Sequence, residues 1–555
     1  MVIDTELRPP SLPLPTMHGP QAVPDWISID DVAGVSGVAE LIRSRAALSG
    51  DAVYLTEARG PRALSFCDLD RRVSSWVTAL DDRGVAKGAP VGIAIAGPLD
   101  FSVLYLAVMA SGRWAAPLDP SSSPDGLAAA VSRLELELVV SDRPAPTSLD
   151  TDWIDVGTAP GAPAVGLHQT VEPGVPAIPA TGGALLASSG TTGAPKVIPL
   201  HQGQLLHTAR AVAAHHRLST GDRGFNPLPL FHINAEVVGL LATLVAGATL
   251  VLDDRFHRTG FWALMERHHV TWINAVPAIV SHLAQPGPDE AVPIGIRFVR
   301  SASAPLPAAT LARFEANTGI PVLETYGMSE AASQITANPI EGKRKPGSVG
   351  LPVGVELRIA HDGVTSFAEG GADWADTDPG PFEQASCPGH VEIRGPSVIT
   401  EYGGGRHGDR FDPDGWLRTG DLGTLDGDGY LYLVGRTDDV INRGGEKVYP
   451  RDIEEAILVD PHVAAVVVVA EDDGVLGQVP VAFLVLEGID GGTDTGDMSD
   501  TVHRVRRRLD ATLVRSQRPV AMHVVARFPV GPTGKVQRRA LRDQRPPLLY
   551  SLVCR

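Results

Sequence analysis

Residues 188–196 combine hydroxyl side chains, glycines and a lysine in one short segment. They read Ser188, Ser189, Gly190, Thr191, Thr192, Gly193, Ala194, Pro195 and Lys196. Glycines let backbone amides approach a ligand closely, and successive amides with hydroxyl groups can surround phosphate oxygens. The spacing differs from the G-x-x-x-x-G-K-[ST] pattern of a P-loop. A phosphate-binding loop is one interpretation of the segment, and a polar surface turn is the other.

Three further positions could take part in chemistry but are not diagnostic alone. His232 follows a proline–leucine segment, where a single histidine is more often structural than catalytic. The small residues at 301–304 would let a flat ring lie against the backbone. Lys535 ends a Gly-Pro-Thr-Gly-Lys turn, and a lysine in a turn usually lies at the surface. These residues become informative only when their order along the chain is compared with that of a known family.

Residues 188–196 resemble the phosphate loop of the adenylate-forming superfamily, which comprises acyl-CoA synthetases, adenylation domains and luciferases. This resemblance implies that the polar residues of the loop bind ATP: Ser188, Ser189, Gly190, Thr191, Thr192, Gly193 and Lys196. Matching motifs follow in the expected order between residues 38 and 541. The resemblance therefore extends over most of the chain.

Residues 324–330, Glu-Thr-Tyr-Gly-Met-Ser-Glu, resemble the Tyr-Gly-Met-Thr-Glu motif of this superfamily. The resemblance implies that Tyr326 stacks on adenine and that Ser329 donates a hydrogen bond to the α-phosphate. Glu330 would bind Mg²⁺, which offsets the charge that develops when ATP is cleaved. The neighbouring Glu324, Thr325 and Gly327 join the nucleotide site.

A second group of nucleotide-binding residues is implied by two other segments. Ser303, Ala304 and Pro305 stand where the family holds adenine and forms one wall of the acyl pocket, although Ala302 and Ser303 replace the usual glycines. Asp421 ends a Thr-Gly-Asp motif, and its carboxylate would accept hydrogen bonds from the ribose hydroxyls. Arg436 would reach ribose or phosphate.

The remaining matching residues are those that the family uses to bind the acid, to admit the CoA thiol, and to rotate the small domain between adenylation and thioester formation. The resemblance makes Lys535 the catalytic lysine that bridges the carboxylate and the α-phosphate. His232 would line the acyl pocket, with Ala235 in place of the family's glycine. The carboxylate of Glu236 would face a cationic substrate group, face solvent or cap the helix start. Asp438 occupies the hinge position, and Gly444 and Gly445 would approach the pantetheine arm of CoA.

These segments require a sheet-based scaffold. Apolar runs that read as buried strands alternate with helical patterns, which indicates an α/β fold with mixed, mainly parallel sheets. Asp68 is expected to cap a helix, residues 144–183 to form an irregular connection, and residues 361–390 to form a surface loop. The resemblance adds the adenylating fold with a small mobile α+β C-terminal domain. We expect a loose segment at 1–30, an N-terminal adenylation domain at 31–434 and the C-terminal domain at 435–545.

Composition excludes several classes of partner. The chain has 555 residues and a formal charge of −18, which argues against a nucleic-acid surface. No apolar run reaches the length of about 18 residues that a membrane span needs, and residues 1–25 lack the pattern of a secretory signal. The three cysteines show no metal-site or disulfide spacing. We therefore expect a cytoplasmic protein, and its oligomeric state stays open.

The sequence thus predicts an ATP-dependent, Mg²⁺-dependent acid–CoA ligase for a small or polar carboxylic acid. Its subgroup similarity is to oxalate–CoA ligases and their short-chain relatives. One alternative keeps adenylation but passes the acyl group to a carrier protein or an amine. Another activates nitrite for diazotisation. A catalytically inactive homologue that binds a nucleotide or a partner is the alternative from another class.

Overall fold

A computed structural model describes residues 32, 34–145, 151–156, 182–188, 196–287, 290–361, 364–368, 388–403, 410–488, 495–529 and 536–554. The helices are α1 Val38–Ser49, α2 Phe66–Asp82, α3 Pro98–Ala110, α4 Pro124–Arg133, α5 Gln202–His215, α6 Ala242–Ala246, α7 Phe261–Arg267, α8 Pro277–Leu283, α9 Ala308–Thr318, α10 Pro450–Leu458, α11 Thr495–Thr512 and α12 Arg538–Asp543. A π-helix spans Ala235–Leu241, and single 3₁₀ turns span Ser329–Ala331, Thr437–Asp439 and Arg515–Gln517.

The strands of the N-terminal part run from β1 to β20. They are β1 Val53–Glu57, β2 Ala63–Ser65, β3 Pro90–Ala94, β4 Trp114–Pro117, β5 Leu138–Ser141, β6 Asp152–Asp155, β7 Gly183–Ser188, β8 Lys196–His201, β9 Arg223–Asn226, β10 Thr249–Leu252, β11 Trp272–Ala275, β12 Phe298–Ser301, β13 Val322–Tyr326, β14 Thr336–Ala337, β15 Leu351–Pro352, β16 Glu356–His361, β17 Val364–Ala368, β18 Gly389–Arg394, β19 Leu417–Leu425 and β20 Leu431–Arg436. The C-terminal part adds β21 Ile441–Arg443, β22 Glu446–Val448, β23 Val463–Asp473, β24 Gly477–Leu486, β25 Ala521–Val525 and β26 Leu548–Val553.

A nine-stranded sheet forms the centre of the N-terminal domain, in the order β15-β14-β13-β12-β11-β9-β10-β1-β2. Its middle strands, from β13 to β1, pair in parallel, and antiparallel strands close both edges. The parallel strands are mostly buried and apolar because helices cover both faces, and polar residues such as Asn226, Asn274 and Arg300 lie near their carboxyl ends. Helix α3 shows this directly, since every residue from Phe101 to Met109 is buried. The carboxyl ends of β9, β11, β12 and β13 therefore lie at one edge, where open α/β sheets bind ligands.

Two smaller sheets complete this domain. The six-stranded sheet has the order β6-β5-β3-β4-β7-β8, and only its last pair, β7 and β8, is antiparallel. The five-stranded sheet, β17-β16-β18-β19-β20, is antiparallel throughout. Together the three sheets confirm the predicted large α/β domain with mixed, mainly parallel sheets.

A separate sheet organises the smaller C-terminal domain, in the order β22-β21-β24-β25-β26 with β23 on β24. Its core is built by apolar residues from Ile441 to Val524, whereas the main core of the N-terminal domain ends at Leu431. The α+β character of this domain is confirmed. Strand β26 pairs with β25, so the sheet continues to Val553, past the expected domain end at residue 545.

Three local expectations differ from the structure. Ser65, rather than Asp68, caps α2, and Asp68 completes a capping box by returning a hydrogen-bond acceptor to the Ser65 amide. Strand β6 lies within the segment expected to be irregular, and β17 lies within the expected surface loop. Both are edge strands that pair with one neighbour only, β6 with β5 and β17 with β16. An edge strand needs less apolar sequence, so its pattern is weak.

No helix in the described ranges combines the length and apolarity that crossing a bilayer requires.

Candidate active site

Tyr326, Asp421 and Arg436 come together although they lie far apart in the sequence. Asp421 on β19 and Arg436 on β20 are cross-strand partners, and Arg436 Nη1 donates to Asp421 Oδ1 at 3.0 Å. The Tyr326 hydroxyl, at the carboxyl end of β13, donates to Asp421 Oδ2. Burial, followed by the Asp421 carboxylate, raises the pKa of Tyr326, so the phenol keeps its proton and remains a donor. The three side chains form a polar surface with a half-exposed guanidinium at its rim.

Glu330 is the centre of a second group. Its Oε1 accepts hydrogen bonds from the Tyr402 hydroxyl at 3.0 Å and from Arg410 Nη1 at 3.4 Å. The Lys196 ammonium lies 4.6 Å from the centre of the Tyr402 ring. Burial and the nearby Arg410 lower the pKa of Lys196. Two cations and one buried carboxylate therefore meet where β8 begins, a suitable environment for a polyphosphate with a divalent metal.

The phosphate loop itself lies outside the described residues, namely Ser189, Gly190, Thr191, Thr192 and Gly193. Its two ends are described: Ser188 on β7 is the cross-strand partner of Lys196 on β8. The loop therefore leaves and returns at adjacent points of an antiparallel pair. Its returning end, Lys196, lies beside the Glu330 group.

The turn that carries Ser329 is folded tightly against the end of β13. A Cβ atom on Gly327 would lie 1.4 Å from the carbonyl oxygen of Ser333, so only glycine fits there. Ala332 and Ser333 have φ angles of 49° and 95°, in the left-handed region that non-glycine residues rarely adopt. Backbone strain of this kind is concentrated at functional sites.

The segment after β12 is exposed at the same edge of the sheet. Ser303, Ala304 and Pro305 are all exposed, and Ser303 has a φ angle of 75°. Glycine would adopt that angle without strain. Thr325, on the neighbouring strand β13, donates from Oγ1 to the carbonyl of Ser301 at 3.2 Å and so ties the two strand ends together.

Glu324 differs from its neighbours because its side chain is buried and lines a cavity of about 300 Å³ with Leu311, Asn338 and Lys345. Burial raises the pKa of this carboxyl to about 7. The backbone of Glu324 accepts hydrogen bonds from Asn338.

His232 and Glu236 flank the start of the π-helix. The His232 ring lies 4.6 Å from that of Phe231, centre to centre, and is partly buried. Glu236 is fully buried and accepts a hydrogen bond from the Tyr105 hydroxyl at 2.7 Å. Burial raises the pKa of Glu236 to about 8. The solvent-facing interpretation of Glu236 is therefore wrong, and its second carboxylate oxygen, Oε1, is buried without a hydrogen-bond partner among the described residues.

The residues expected at the hinge and the thiol channel follow β20 directly. Asp438 is exposed in the 3₁₀ turn Thr437–Asp439. Gly444 and Gly445 form the turn between β21 and β22, with φ angles of 59° and 91°. Arg436, which contacts Asp421, is therefore only a few residues away in the chain from the first strand of the C-terminal domain. Lys535 lies outside the described residues.

Tyr402 and Arg410 of the Glu330 group were not predicted, and neither was Arg300, which donates from Nη1 to Asn234 Oδ1 at 2.9 Å. Tyr402 and Arg410 flank a glycine-rich stretch, Gly403-Gly404-Gly405, which is the one local signal that could have pointed to them. Arg300 ends an apolar run and gives no such signal.

The carboxylate of Glu330 is chemically suited to bind Mg²⁺. In the described part of the chain, no cluster of three His, Cys, Asp or Glu ligands includes Glu330. Mg²⁺ at nucleotide sites commonly takes one or two protein carboxylates and completes its octahedron with phosphates and water. A single carboxylate beside the end of the phosphate loop matches that arrangement.

Comparisons with known proteins point the same way. The sequence profile of the AMP-binding enzyme family matches residues 42–402, and that of the AMP-binding enzyme C-terminal domain matches residues 452–535. Sulfoacetate–CoA ligase of Cupriavidus necator is 34% identical over 520 residues, which cover 91% of this chain and 97% of that protein. Oxalate–CoA ligase of Arabidopsis thaliana is 31% identical and covers 92% and 98% of the two chains.

A solved structure extends the similarity to the fold. The o-succinylbenzoate–CoA synthetase of Bacillus subtilis with its acyl-adenylate intermediate superimposes with a TM-score of 0.74 at 27% identity, covering 91% of this chain and 98% of that one. The same enzyme with ATP and a magnesium ion gives a TM-score of 0.73.

Proposed function

This chain belongs to the AMP-binding enzyme family, and we infer that it is an ATP-dependent, AMP-forming acid–CoA ligase. The observation that carries this function is the convergence of Tyr326, Asp421 and Arg436 beside the Glu330 group at the carboxyl ends of the sheet strands. Relatives that span nearly the whole chain are CoA ligases. ATP and CoA are the co-substrates, and Mg²⁺ accompanies ATP.

The first half-reaction forms a mixed anhydride. A carboxylate oxygen of the acid attacks the α-phosphorus of ATP, the bond between the α-phosphorus and the bridging oxygen breaks, and pyrophosphate leaves. Negative charge grows on the phosphoryl oxygens during this step, so fixed positive groups accelerate it. We propose that Lys196 and Arg410, which lie in the Glu330 group, bind the phosphates, and we assign Lys535 to the carboxylate and the α-phosphate.

The nucleoside would be held by the first group of residues. Asp421 presents its carboxylate to the ribose hydroxyls while Arg436 and Tyr326 fix its orientation. The Tyr326 ring and the exposed segment Ser303–Pro305 offer two surfaces for adenine. Ser329, in the strained turn, reaches the α-phosphate.

We assign the magnesium ligand to Glu330. When bound there with the phosphate oxygens of ATP, Mg²⁺ would offset charge on the leaving pyrophosphate. The protein's own part is to hold the carboxylate in place, which Tyr402 and Arg410 do through Oε1.

The second half-reaction transfers the acyl group. The CoA sulfur attacks the acyl carbon, the bond from that carbon to the AMP oxygen breaks, and AMP leaves while the thiol proton passes to solvent or a base. We propose that the Gly444–Gly445 turn admits the pantetheine arm, because two glycines in the left-handed region leave its backbone uncovered. A carrier-protein thiol is the alternative acceptor.

The acid is small and polar rather than a long-chain fatty acid. Polar side chains that lie near His232 support this: Asn234, Ser301 and Arg300 are all buried. An alkyl chain would leave such groups unpaired, at a cost of about 1–3 kcal/mol each. The relatives' named acids, sulfoacetate and oxalate, are also small and polar.

A panel of acids tests the function. Pyrophosphate release would be measured with ATP, Mg²⁺ and either oxalate, sulfoacetate, acetate, benzoate or a C12–C16 acid, with CoA, a carrier protein or no acceptor. We expect release with small polar acids and thioester formation with CoA. The highest kcat/KM on a C12–C16 acid would overturn the substrate class, and release with nitrite and an arylamine only would overturn the ligase itself.

A further inference from the structure

Arg300 is a fully buried arginine at the carboxyl end of β12, with 1% of its surface exposed. Among the described residues, its guanidinium donates to neutral amide oxygens alone. Nη1 contacts Asn234 Oδ1 at 2.9 Å and Asn274 Oδ1 at 3.3 Å, and the other side of the fork contacts Gln334 Oε1 at 3.3–3.4 Å. No carboxylate among the described residues forms an ion pair with it. Burial lowers the pKa of Arg300 to about 9, so it is still a cation at neutral pH.

Another buried arginine, Arg113, has the carboxylate partner that Arg300 lacks within the described ranges. Arg113 is as buried as Arg300, yet its Nη2 pairs with the Asp81 carboxylate at 2.7 Å. A buried charge is costly unless an opposite charge accompanies it. Arg300 therefore lacks, among the described residues, the counterion that Arg113 has.

Unpaired donors surround the guanidinium. The amide nitrogens of Asn234 and Gln334 are buried without a hydrogen-bond partner in the described part of the chain, because their oxygens face Arg300. The Ser301 hydroxyl is also buried and has no partner within those ranges. Each of these three residues is more than nine-tenths buried. The cluster is rich in donors and poor in acceptors, which is the composition of an anion site.

The cluster also lies close to the residues that we assign to the acid and the nucleotide. Arg300 is the cross-strand partner of Asn274, and Asn274 donates to Asn226 on the next strand, so the polar row follows the carboxyl ends of β12, β11 and β9. Asn234 lies two residues after His232. A Cβ on Gly327 would lie 3.1 Å from the Gln334 Cα. Arg300 therefore lies between the His232 segment and the Tyr326–Gly327 segment.

We propose that Arg300, with the amide donors of Asn234 and Gln334, binds a second anionic group of the acid, so that the substrate is a small dianion. This inference rests on the proposed function and adds the charge of the acid. One acidic group is adenylated and the other, a carboxylate or a sulfonate, is the missing counterion of Arg300. A guanidinium that forms two parallel hydrogen bonds to such a group discriminates strongly against a neutral replacement.

Matched pairs of acids test the charge requirement in the wild-type enzyme. The pairs are oxalate with oxamate, malonate with malonamate, and sulfoacetate with methylsulfonylacetate, each differing in one charge but little in shape. We expect kcat/KM for pyrophosphate release to favour the dianion of the accepted pair by about 10- to 100-fold. Equal rates for both members would overturn the proposal while leaving the ligase intact. Failure of every acid to release pyrophosphate would instead overturn the proposed function.

Two substitutions assign the charge requirement to Arg300. Arg300→Met should lower kcat/KM for the dianion about 10- to 100-fold and leave that for its neutral-tailed partner within a few-fold. Gln334→Glu should do the same by giving Arg300 an internal counterion at 3.3–3.4 Å, and it should fold at least as well as the wild type.

The control is Arg113→Met, which removes a buried arginine from a different part of the N-terminal domain. It should lower the melting temperature and leave the preference for the dianion unchanged. If Arg300→Met and Gln334→Glu lowered activity on both members of a pair equally, Arg300 would be a structural residue and the proposal would be wrong.

Discussion

At the scale of single residues, the carboxylate of Glu330, our proposed magnesium ligand, is already held in place by its neighbours. Tyr402 and Arg410 both contact Oε1, and this fixes the rotation of the carboxyl group. A charged oxygen held in place costs little to reorganise when ATP arrives, which is the basis of electrostatic catalysis.

Replacing Glu330 by Gln should therefore impair metal use and adenylation together. The amide keeps the size of the side chain but loses the charge that Mg²⁺ prefers. We expect the adenylation rate to fall about 10²-fold and the Mg²⁺ concentration that gives the half-maximal rate to rise. Pyrophosphate release at increasing Mg²⁺ concentration measures both.

The control for this change is Glu392→Gln. Glu392 is equally buried but pairs with Arg358 and Arg418 in the five-stranded sheet. The Glu392→Gln protein should be less stable than the wild type, but its Mg²⁺ titration should be unchanged. An unchanged titration in Glu330→Gln would remove Glu330 from the metal site.

At the scale of elements, the π-helix Ala235–Leu241 places a carboxyl group inside the protein. Its seven residues are all buried, and Glu236 is held there by the Tyr105 hydroxyl of α3. π-helical turns are rare and often accompany functional sites. Here the π-helix begins three residues after His232, which we propose to line the acyl pocket.

The raised pKa of Glu236 has a consequence for stability. In the unfolded chain this carboxyl ionises near its ordinary pKa of 4.5, whereas burial keeps it protonated up to about pH 8. The folded state therefore holds one more proton between these values, and its stability falls as the pH rises through that window. Below pH 4.5 the contribution is fully present.

Glu236→Gln should flatten this dependence, because the amide does not ionise and its oxygen still accepts from Tyr105. Melting temperatures of both proteins from pH 5 to pH 8.5 measure the effect. The exposed helix residue Glu266 supplies the control, and Glu266→Gln should follow the wild-type curve. Parallel curves for Glu236→Gln and the wild type would show that Glu236 is ionised in the folded protein.

At the scale of the whole molecule, we propose that the small C-terminal domain serves both half-reactions. We place Lys535 in adenylation and the Gly444–Gly445 turn in thioester formation, and about ninety residues separate them. In this structure Arg451 of α10 donates to the Leu433 carbonyl at 2.7 Å and links the two domains. Rotation about the turn at Asp438 would present each segment in its own step.

Asp438→Pro should leave adenylation active and impair transfer to CoA. Proline fixes φ near −65°, so the turn would keep one state. Pyrophosphate release and CoA thioester formation measured separately give the two rates, with Asp438→Ala as the flexible control. Equal losses in both half-reactions would contradict a hinge at this position.

Lys535→Ala should have the opposite effect. Adenylation should fall by about 10²-fold or more, because one positive group is lost from the transferring phosphoryl. Thioester formation from supplied acyl-adenylate should persist. Lys87→Ala, which changes an exposed lysine paired with Asp81, should leave both rates unchanged. Near-normal adenylation by Lys535→Ala would contradict its catalytic role.

The sequence by itself determined the nucleotide chemistry and the fold class. The segments 188–196 and 324–330 carry their candidate ligand groups within a few residues, so each could be matched to a motif of the adenylate-forming superfamily. Alternating apolar strands and helices predicted the α/β domain for the same reason, since periodicity is local. Tyr326, Asp421 and Arg436 were each predicted from a short motif, and the fold brings them together.

Only the tertiary structure revealed the groups whose meaning depends on burial. Arg300 looks like any arginine at the end of a strand until β11 and β12 pair and leave its guanidinium among neutral amides. Glu236 meets Tyr105 across 131 residues, and Glu330 meets Tyr402 across 72. Burial and partnership of this kind arise from contacts between distant segments. A charge without a counterion is therefore invisible in the sequence and becomes evident only when the sheet is assembled.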